Sequence, residues 1–342
     1  MVIVEGVPAY LYLDEEYIAH HLGRRQRGYG RGGRQQIERD HAHIQTGVRH
    51  GYTLGSPIGM LIENRDWVNW QEGRNQRVTR IRPGHADLPG AMKYGFHDVR
   101  NSLERASARE TAARVAAGAV AMKLLEEFGI KLHSHVLSIG RSDVADQMMA
   151  EVDAAREAGD TVGGVVEVIA EGVPIGLGSH VHWDRKIDAK ISQALMSINA
   201  VKAVSIGEGW DLLDRWGSEF QDVIEPVTDP DRPWQRKTNR AGGTEGGMTS
   251  GTPLVARFVI KPIATLHNPL PSVDLDTGEP VQAHFERSDV CQAPPAGVIG
   301  EAMMALVLAD AFMEKFGGDS IPETKRNFEG YQATVGPRLR YS

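Results

Sequence analysis

At 342 residues, 41% apolar and 24% charged, the chain can bury a large core and has an ordinary globular composition. Its net charge of −7 argues against a general nucleic-acid binder. Its single cysteine, Cys291, excludes an internal disulfide and points to a reducing, cytoplasmic setting; no apolar run approaches the roughly 18 residues of a membrane span, and no signal peptide is evident.

The chain opens on VIVEGVP (2–8), a short apolar strand ending in a Gly-Val-Pro turn, followed by a helical segment over 14–25. RRQRGYGRGGR (24–34) then places five arginines among glycines. GYGRGG formally fits G-x-G-x-x-G, but it follows a helix and not a strand, so a dinucleotide fingerprint is rejected. Planar guanidiniums on pliable backbone suit phosphate or carboxylate, and Arg25, Arg31 and Arg34 are expected to grip a polyanionic ligand. GVRHGYTLGSPI (47–58) is a glycine-punctuated turn leading into a strand.

IRPGHAD (81–87) sets Arg82 and His85 around a Pro-Gly turn, with an aspartate two positions beyond the histidine, which makes His85 a candidate proton donor. In RNSLERASARE (100–110), Ser107 and Glu110 have the spacing of a capping box. The helix that follows, to residue 128, is small or apolar nearly all round, so it is expected to be buried. Arg109 falls in its first turn, where a cation is disfavoured unless helix terminus and guanidinium hold an anion together.

The second half runs VIAEGVP (168–174), a helix over 184–197, MSINA (196–200), GTEGGMTSGTPL (243–254), KPIAT (261–265) and FERSD (285–289). Asn199 suits the edge of a flat heterocycle, and the glycine turn around Gly246 lets a ring or phosphate approach backbone. Lys261 and Arg287 add positive charge, and Asp289 is a candidate proton acceptor. A second apolar helix covers 298–316, and 318–342 reads as a mobile tail.

Three matches recur in one order: VIVEGVP with VIAEGVP, GVRHGYTLGSPI with GTEGGMTSGTPL, and LLEEFG (124–129) with FMEKFG (312–317). Duplication is the reading favoured over coincident turn chemistry. It predicts one α+β domain over 1–317, with halves of about 1–130 and 160–317 packed about a pseudo-twofold axis. Long helices should lie centrally between antiparallel sheets.

Three His-x-His pairs (41/43, 133/135 and 180/182) read as surface histidines and no metal site is expected, because there is neither H-E-x-x-H nor a cysteine set. No G-x-S-x-G elbow is present, and Cys291 lacks a covalent-catalysis motif.

RRQRGYGRGGR, GVRHGYTLGSP, RPGHAD, RNSLERASARETAARVAAGAVA, ALMSINAVK, GGTEGGMTSGTPLVARFVIKPIATL and ERSD together closely resemble the chorismate synthase family, from about residue 2 to 317. The resemblance implies a β-α-β sandwich assembled as a homotetramer. It also implies 1,4-anti elimination of phosphate from 5-enolpyruvylshikimate 3-phosphate, requiring reduced FMN without net redox change; some members use NADPH to reduce the flavin.

By the same resemblance Arg25, Arg31, Arg34, Arg82, Arg109 and Arg287 surround the substrate. Ser107, Ala108, Asn199, Ala200, Gly246, Lys261, Pro262, Ile263, Ala264, Thr265 and Arg287 meet the flavin. His85 protonates or stabilises reduced flavin, and Asp289 assists proton transfer from substrate to flavin N5. Family members carry Gly-Glu-Ser-His-Gly ahead of the first strand, with a histidine that serves the departing phosphate. Met1 falls after it here, and the chain as given is expected to be much less active than one extended upstream. Two other readings stay open from the residues: a flavin-dependent oxidoreductase, which would consume NAD(P)H in proportion to product, and a non-catalytic anion-binding protein.

Overall fold

The structure, a computed structural model, describes residues 1–31, 40–65, 67, 76–229, 233–286 and 288–336; Arg34 and Arg287 lie outside the described residues. The core helices are α1 (Glu15–Gln26), α2 (Asp87–Tyr94), α3 (Arg100–Arg105), α4 (Thr111–Glu126), α5 (Ala145–Glu157), α6 (Ile187–Met196), α7 (Ala293–Phe316) and α8 (Ile321–Thr334). The sheet strands are β1 (Val2–Val4), β2 (Ala42–Ile44), β3 (Ile58–Ile62), β4 (Lys131–Ile139), β5 (Gly164–Glu171), β6 (Val201–Ile206) and β7 (Leu254–Ile260).

These strands form the two larger antiparallel sheets, one in the order β1-β3-β2 and one in the order β4-β5-β7-β6; four two-stranded pairings accompany them among the described residues. Burial alternates residue by residue along β5 and β7, as expected for strands with one face on a core. Between the sheets α4 packs on α7; α7 lies against β4 and β5, while β1 and α1 pack on α4. The α+β sandwich with central helices is therefore the observed architecture.

The repeated motifs share pairings and single hydrogen bonds. Val4 pairs with Ile58, and the repeat-equivalent Ala170 pairs with Leu254. Thr53 Oγ1 accepts the Leu11 N–H at 3.0 Å and donates to the Pro8 carbonyl at 2.6 Å. Thr249 does the same with Leu177 (2.9 Å) and Pro174 (2.6 Å). Both threonines are buried, so each hydroxyl satisfies two backbone groups that water cannot reach.

α4 and α7 can touch because their contact is lined by small residues. A Cβ on Gly118 would lie 2.5 Å from Ala302 Cα, closer than real atoms approach. α7 is also longer and more apolar than the sequence reading allowed. An 18-residue window of it reaches a mean hydropathy of 1.7, and 72% of that window is buried in the fold. Glu301 and Asp310 interrupt the run in the sequence and hide it. Glu301 is fully buried yet paired: Arg24 donates to both its oxygens at 2.6 and 2.7 Å, and Ser134 Oγ donates at 2.6 Å. A buried, compensated carboxylate belongs to a core helix.

Two local expectations give way. α4 begins at Thr111 after a 3-10 turn over Ala108–Glu110, and Ser107 caps that turn by accepting the Arg109 N–H at 3.3 Å. Glu110 does not close a capping box, because Arg114 holds its carboxylate at 2.9 Å. The supposed tail contains α8, whose Phe328 and Tyr331 pack against Phe312 and Phe316 at ring separations of 5.2 to 5.5 Å. Aromatic burial of that kind outweighs the polar composition around it.

Candidate active site

One cavity of about 720 Å³ opens where α1, the RPGHAD turn, the start of α4, the α6–β6 turn and the segment after β7 converge. Its size falls in the roughly 300–1,000 Å³ range of small-molecule sites. Arg25 and Arg31 enter from the end of α1 and the turn beyond it; Arg82 and His85 come from RPGHAD. Ser107, Ala108 and Arg109 come from the 3-10 turn, and Asn199 and Ala200 from the α6–β6 turn. Lys261, Pro262, Ile263, Ala264 and Thr265 form another wall, with Asp289 beside them. Gly246 does not line this cavity; it sits exposed at the tip of the Thr244–Thr249 hairpin.

The cations are not equivalent. Arg25 is buried and engaged at every nitrogen: Nε donates to Thr111 Oγ1 at 2.9 Å, Nη1 to Asp40 at 3.3 Å and Nη2 to the Ala108 carbonyl at 3.2 Å. Arg109 forks onto the same Asp40, at 2.9 and 2.7 Å. Asp40, itself buried, thus fixes two guanidiniums at the cavity wall. Arg31 donates to Asp289 Oδ2 at 2.6 Å, which orients that carboxylate from the opposite side.

RPGHAD folds into a compact network around Asp87, which is fully buried. Arg82 donates to Asp87 through its backbone N–H (3.0 Å), Nε (2.8 Å) and Nη2 (3.0 Å), and reaches Thr265 Oγ1 at 3.0 Å. His85 Nδ1 lies 2.6 Å from Asp87 Oδ1, which fixes the tautomer and leaves Nε2 as the ring nitrogen available for chemistry. Burial alone would raise the Asp87 carboxyl, but hydrogen bonds from His85 and Arg82, and their charge, hold it well below the usual carboxylate range. Lys261 Nζ donates to the Gly84 carbonyl at 2.5 Å and ties this turn to the wall after β7. Burial, with Lys202 nearby, lowers the Lys261 ammonium.

Two buried polar atoms on the cavity wall have no hydrogen-bond partner among the described residues: Asn199 Oδ1 and Arg31 Nε. Asn199 spends its amide on the Ala106 carbonyl (3.1 Å), so its oxygen is left to accept. Ala200 holds a left-handed φ of 69°, a conformation unusual for a residue with a Cβ, at the same turn. Ile198, Ile260 and Ile299 supply apolar surface. An acceptor, a donor and apolar walls fit a flat heterocycle with a polar edge.

Sequence reasoning used Asp87 only as the neighbour that tunes His85 and passed over Asp40 altogether, although both anchor the cavity's cations. Asp87 was visible as the last residue of RPGHAD. Asp40 had no signal, since its partners Arg25 and Arg109 lie 15 and 69 positions away. Arg156, Asp160 and His267 also line the cavity and belong to no motif. Cys291 is fully buried, and burial pushes its thiol up, away from nucleophilic use.

A walled pocket with fixed guanidiniums, an ammonium, an imidazole–carboxylate pair and apolar surface defines an enzyme site for a small anionic molecule. The profile described as chorismate synthase matches residues 1–313. The chorismate synthase of Geobacter sulfurreducens is 52% identical over 96% of this chain and 94% of its own, and that of Geobacillus thermodenitrificans is 51% identical over 96% and 94%. A crystal structure of a chorismate synthase superposes with a TM-score of 0.78 at 42% identity, covering 97% of this chain and 93% of the other. The chain belongs to the chorismate synthase family.

Proposed function

We propose that the chain is a lyase converting 5-enolpyruvylshikimate 3-phosphate to chorismate by 1,4-anti elimination of phosphate, with reduced FMN required and no net redox change. The observation that carries this reading is the cavity shared by residues of RRQRGYGRGGR, RPGHAD, RNSLERASARE, MSINA, KPIAT and FERSD, in a chain about half identical to chorismate synthases along nearly its whole length. The substrate bears a phosphate and two carboxylates. Arg31 and Arg109, the less completely enclosed cations, would bind it, while Arg25 and Arg82 act more as the frame that positions the walls. Arg34 and Arg287 belong to the same proposed shell.

Ser107, Ala108, Asn199, Ala200, the Lys261–Thr265 segment and Arg287 would hold the flavin. When bound, reduced flavin supplies an electron that weakens the C–O bond and recovers it afterwards. His85 presents Nε2 for proton transfer, held in place by Asp87. Asp289, oriented by Arg31, is the carboxylate for movement of the substrate proton. Fixed cations stabilise charge developing on the departing phosphate without reorganising during the reaction.

A homotetramer in the cytoplasm is part of the same proposal. Leu213, Trp183 and Trp216 are 94, 82 and 81% exposed, which supports covering by other copies. Gly246 stays a proposed flavin contact although it does not line this cavity. NADPH is proposed as a source of reducing equivalents for the flavin.

The test is anaerobic turnover with pre-reduced FMN, following phosphate, chorismate and NAD(P)H together. Phosphate and chorismate should appear in equal amounts without NAD(P)H loss. Oxidation of NAD(P)H in step with product would favour an oxidoreductase, and ligand binding without phosphate release a non-catalytic protein.

A further inference from the structure

Away from the cavity, α1 and β2 meet in a cluster that the proposed reaction does not use. Glu15 is the first residue of α1, placed there by the Asp14 cap, whose carboxylate accepts the Tyr17 N–H at 2.8 Å. His43 lies in β2 and His41 immediately precedes it; the two flank the buried Ala42, and both imidazoles lie beside Glu15. Glu15 Oε2 lies 2.8 Å from His41 Nε2 and 3.3 Å from His43 Nδ1. Its other oxygen, Oε1, accepts the Ile44 N–H at 2.7 Å, which turns Oε2 toward the two rings. The potential ligand atoms of the three residues lie within 4.8 Å of one another.

We propose that Glu15, His41 and His43 form a binding site for a divalent transition-metal ion of the zinc class. Two imidazoles and one carboxylate are a donor set suited to such ions, whereas magnesium and calcium prefer all-oxygen shells. Bonds of about 2.0–2.2 Å at tetrahedral angles put ligand atoms ~3.3 Å apart; the His43–Glu15 distance of 3.3 Å already matches, and His41, at 2.8 Å, needs to draw back by about half an ångström. The Ile44 N–H supplies the outer hydrogen bond that ligating carboxylates usually have. Because the three side chains are partly exposed, an ion can enter and a water can complete the shell. The bound ion would clamp the start of α1 to β2, one residue from the Asp40 that fixes Arg25 and Arg109.

The experiment uses the full chain without an affinity tag, stripped by chelator and titrated with Zn²⁺ by calorimetry and with Co²⁺ by visible absorption. The expected result is one equivalent per chain with Kd of about 10 µM or tighter, visible cobalt bands of a low-symmetry site, and a rise in melting temperature. His43→Asn, at the most exposed ligand, should weaken Zn²⁺ at least about 10-fold while the metal-free protein melts as the parent does. Glu15→Gln should do likewise. Replacing His133 and His135 together should leave Zn²⁺ binding unchanged. Absence of binding by the parent chain up to about 100 µM Zn²⁺, or binding that His43→Asn leaves intact, overturns the site.

Discussion

His85 Nδ1 and Asp87 Oδ1 stand 2.6 Å apart inside the RPGHAD turn, with the Arg82 guanidinium closing the network over the same carboxylate. Asp87→Asn keeps the shape but removes the charge that fixes the ring. Turnover should fall roughly 10- to 100-fold, mostly in kcat, and His85→Asn should cost about 100-fold or more. The Asp87 carboxyl is held below its unfolded value of about 3.9, so it stabilises the fold above that pH and loses its effect as pH falls further. Denaturant melts of both proteins should accordingly differ most near pH 7 and converge in strong acid.

Asp40 faces two arginines in a buried setting. Asp40→Ala leaves both without this carboxylate and should destabilise the protein by about 3 kcal/mol. It should also raise KM for the phosphorylated substrate, because Arg109 loses its fixed orientation. Equilibrium unfolding and steady-state kinetics on one preparation read both effects.

His21 is buried, and burial, followed by the charges of Arg24 and His20, lowers its imidazole to about 4. The unfolded chain therefore takes up the proton first, below a pH of about 6.5, and stability falls between there and about 4. The loss attributable to this residue between pH 7 and 5 is about 2 kcal/mol. In His21→Gln that part of the pH slope should disappear, as unfolding midpoints at the two pH values would reveal.

Gly118 lies where α4 and α7 come closest. Gly118→Ala should cost about 2 kcal/mol and Gly118→Val more, because Ala302 backbone blocks the added atoms. The cost should appear as a lowered Tm with little change in the turnover of whatever remains folded.

The parts of this molecule legible in the sequence are those written locally. Strand alternation, the two apolar helices and the repeated Gly-Val-Pro and Thr turns are visible because period and turn chemistry act over a few residues. The matched Thr53 and Thr249 bonds show that the repeat carried structural content. Features that depend on distant partners were not legible. Asp40 had no motif around it, and α8 looked too polar until Phe328 and Tyr331 met α7. Glu110 was committed to Arg114 and not to a capping box. The His41/His43 pair looked like a surface feature because its third donor, Glu15, lies 26 positions before His41 on another element.

The most direct measurement is a crystal structure of the full chain soaked with FMN and 5-enolpyruvylshikimate 3-phosphate. The isoalloxazine ring is expected against Asn199 and the Lys261–Thr265 wall, with the phosphorylated ligand between that ring and Arg31 and Arg109. Density for the two molecules in separate places, or for either outside this cavity with Asn199 Oδ1 left bare, would contradict it.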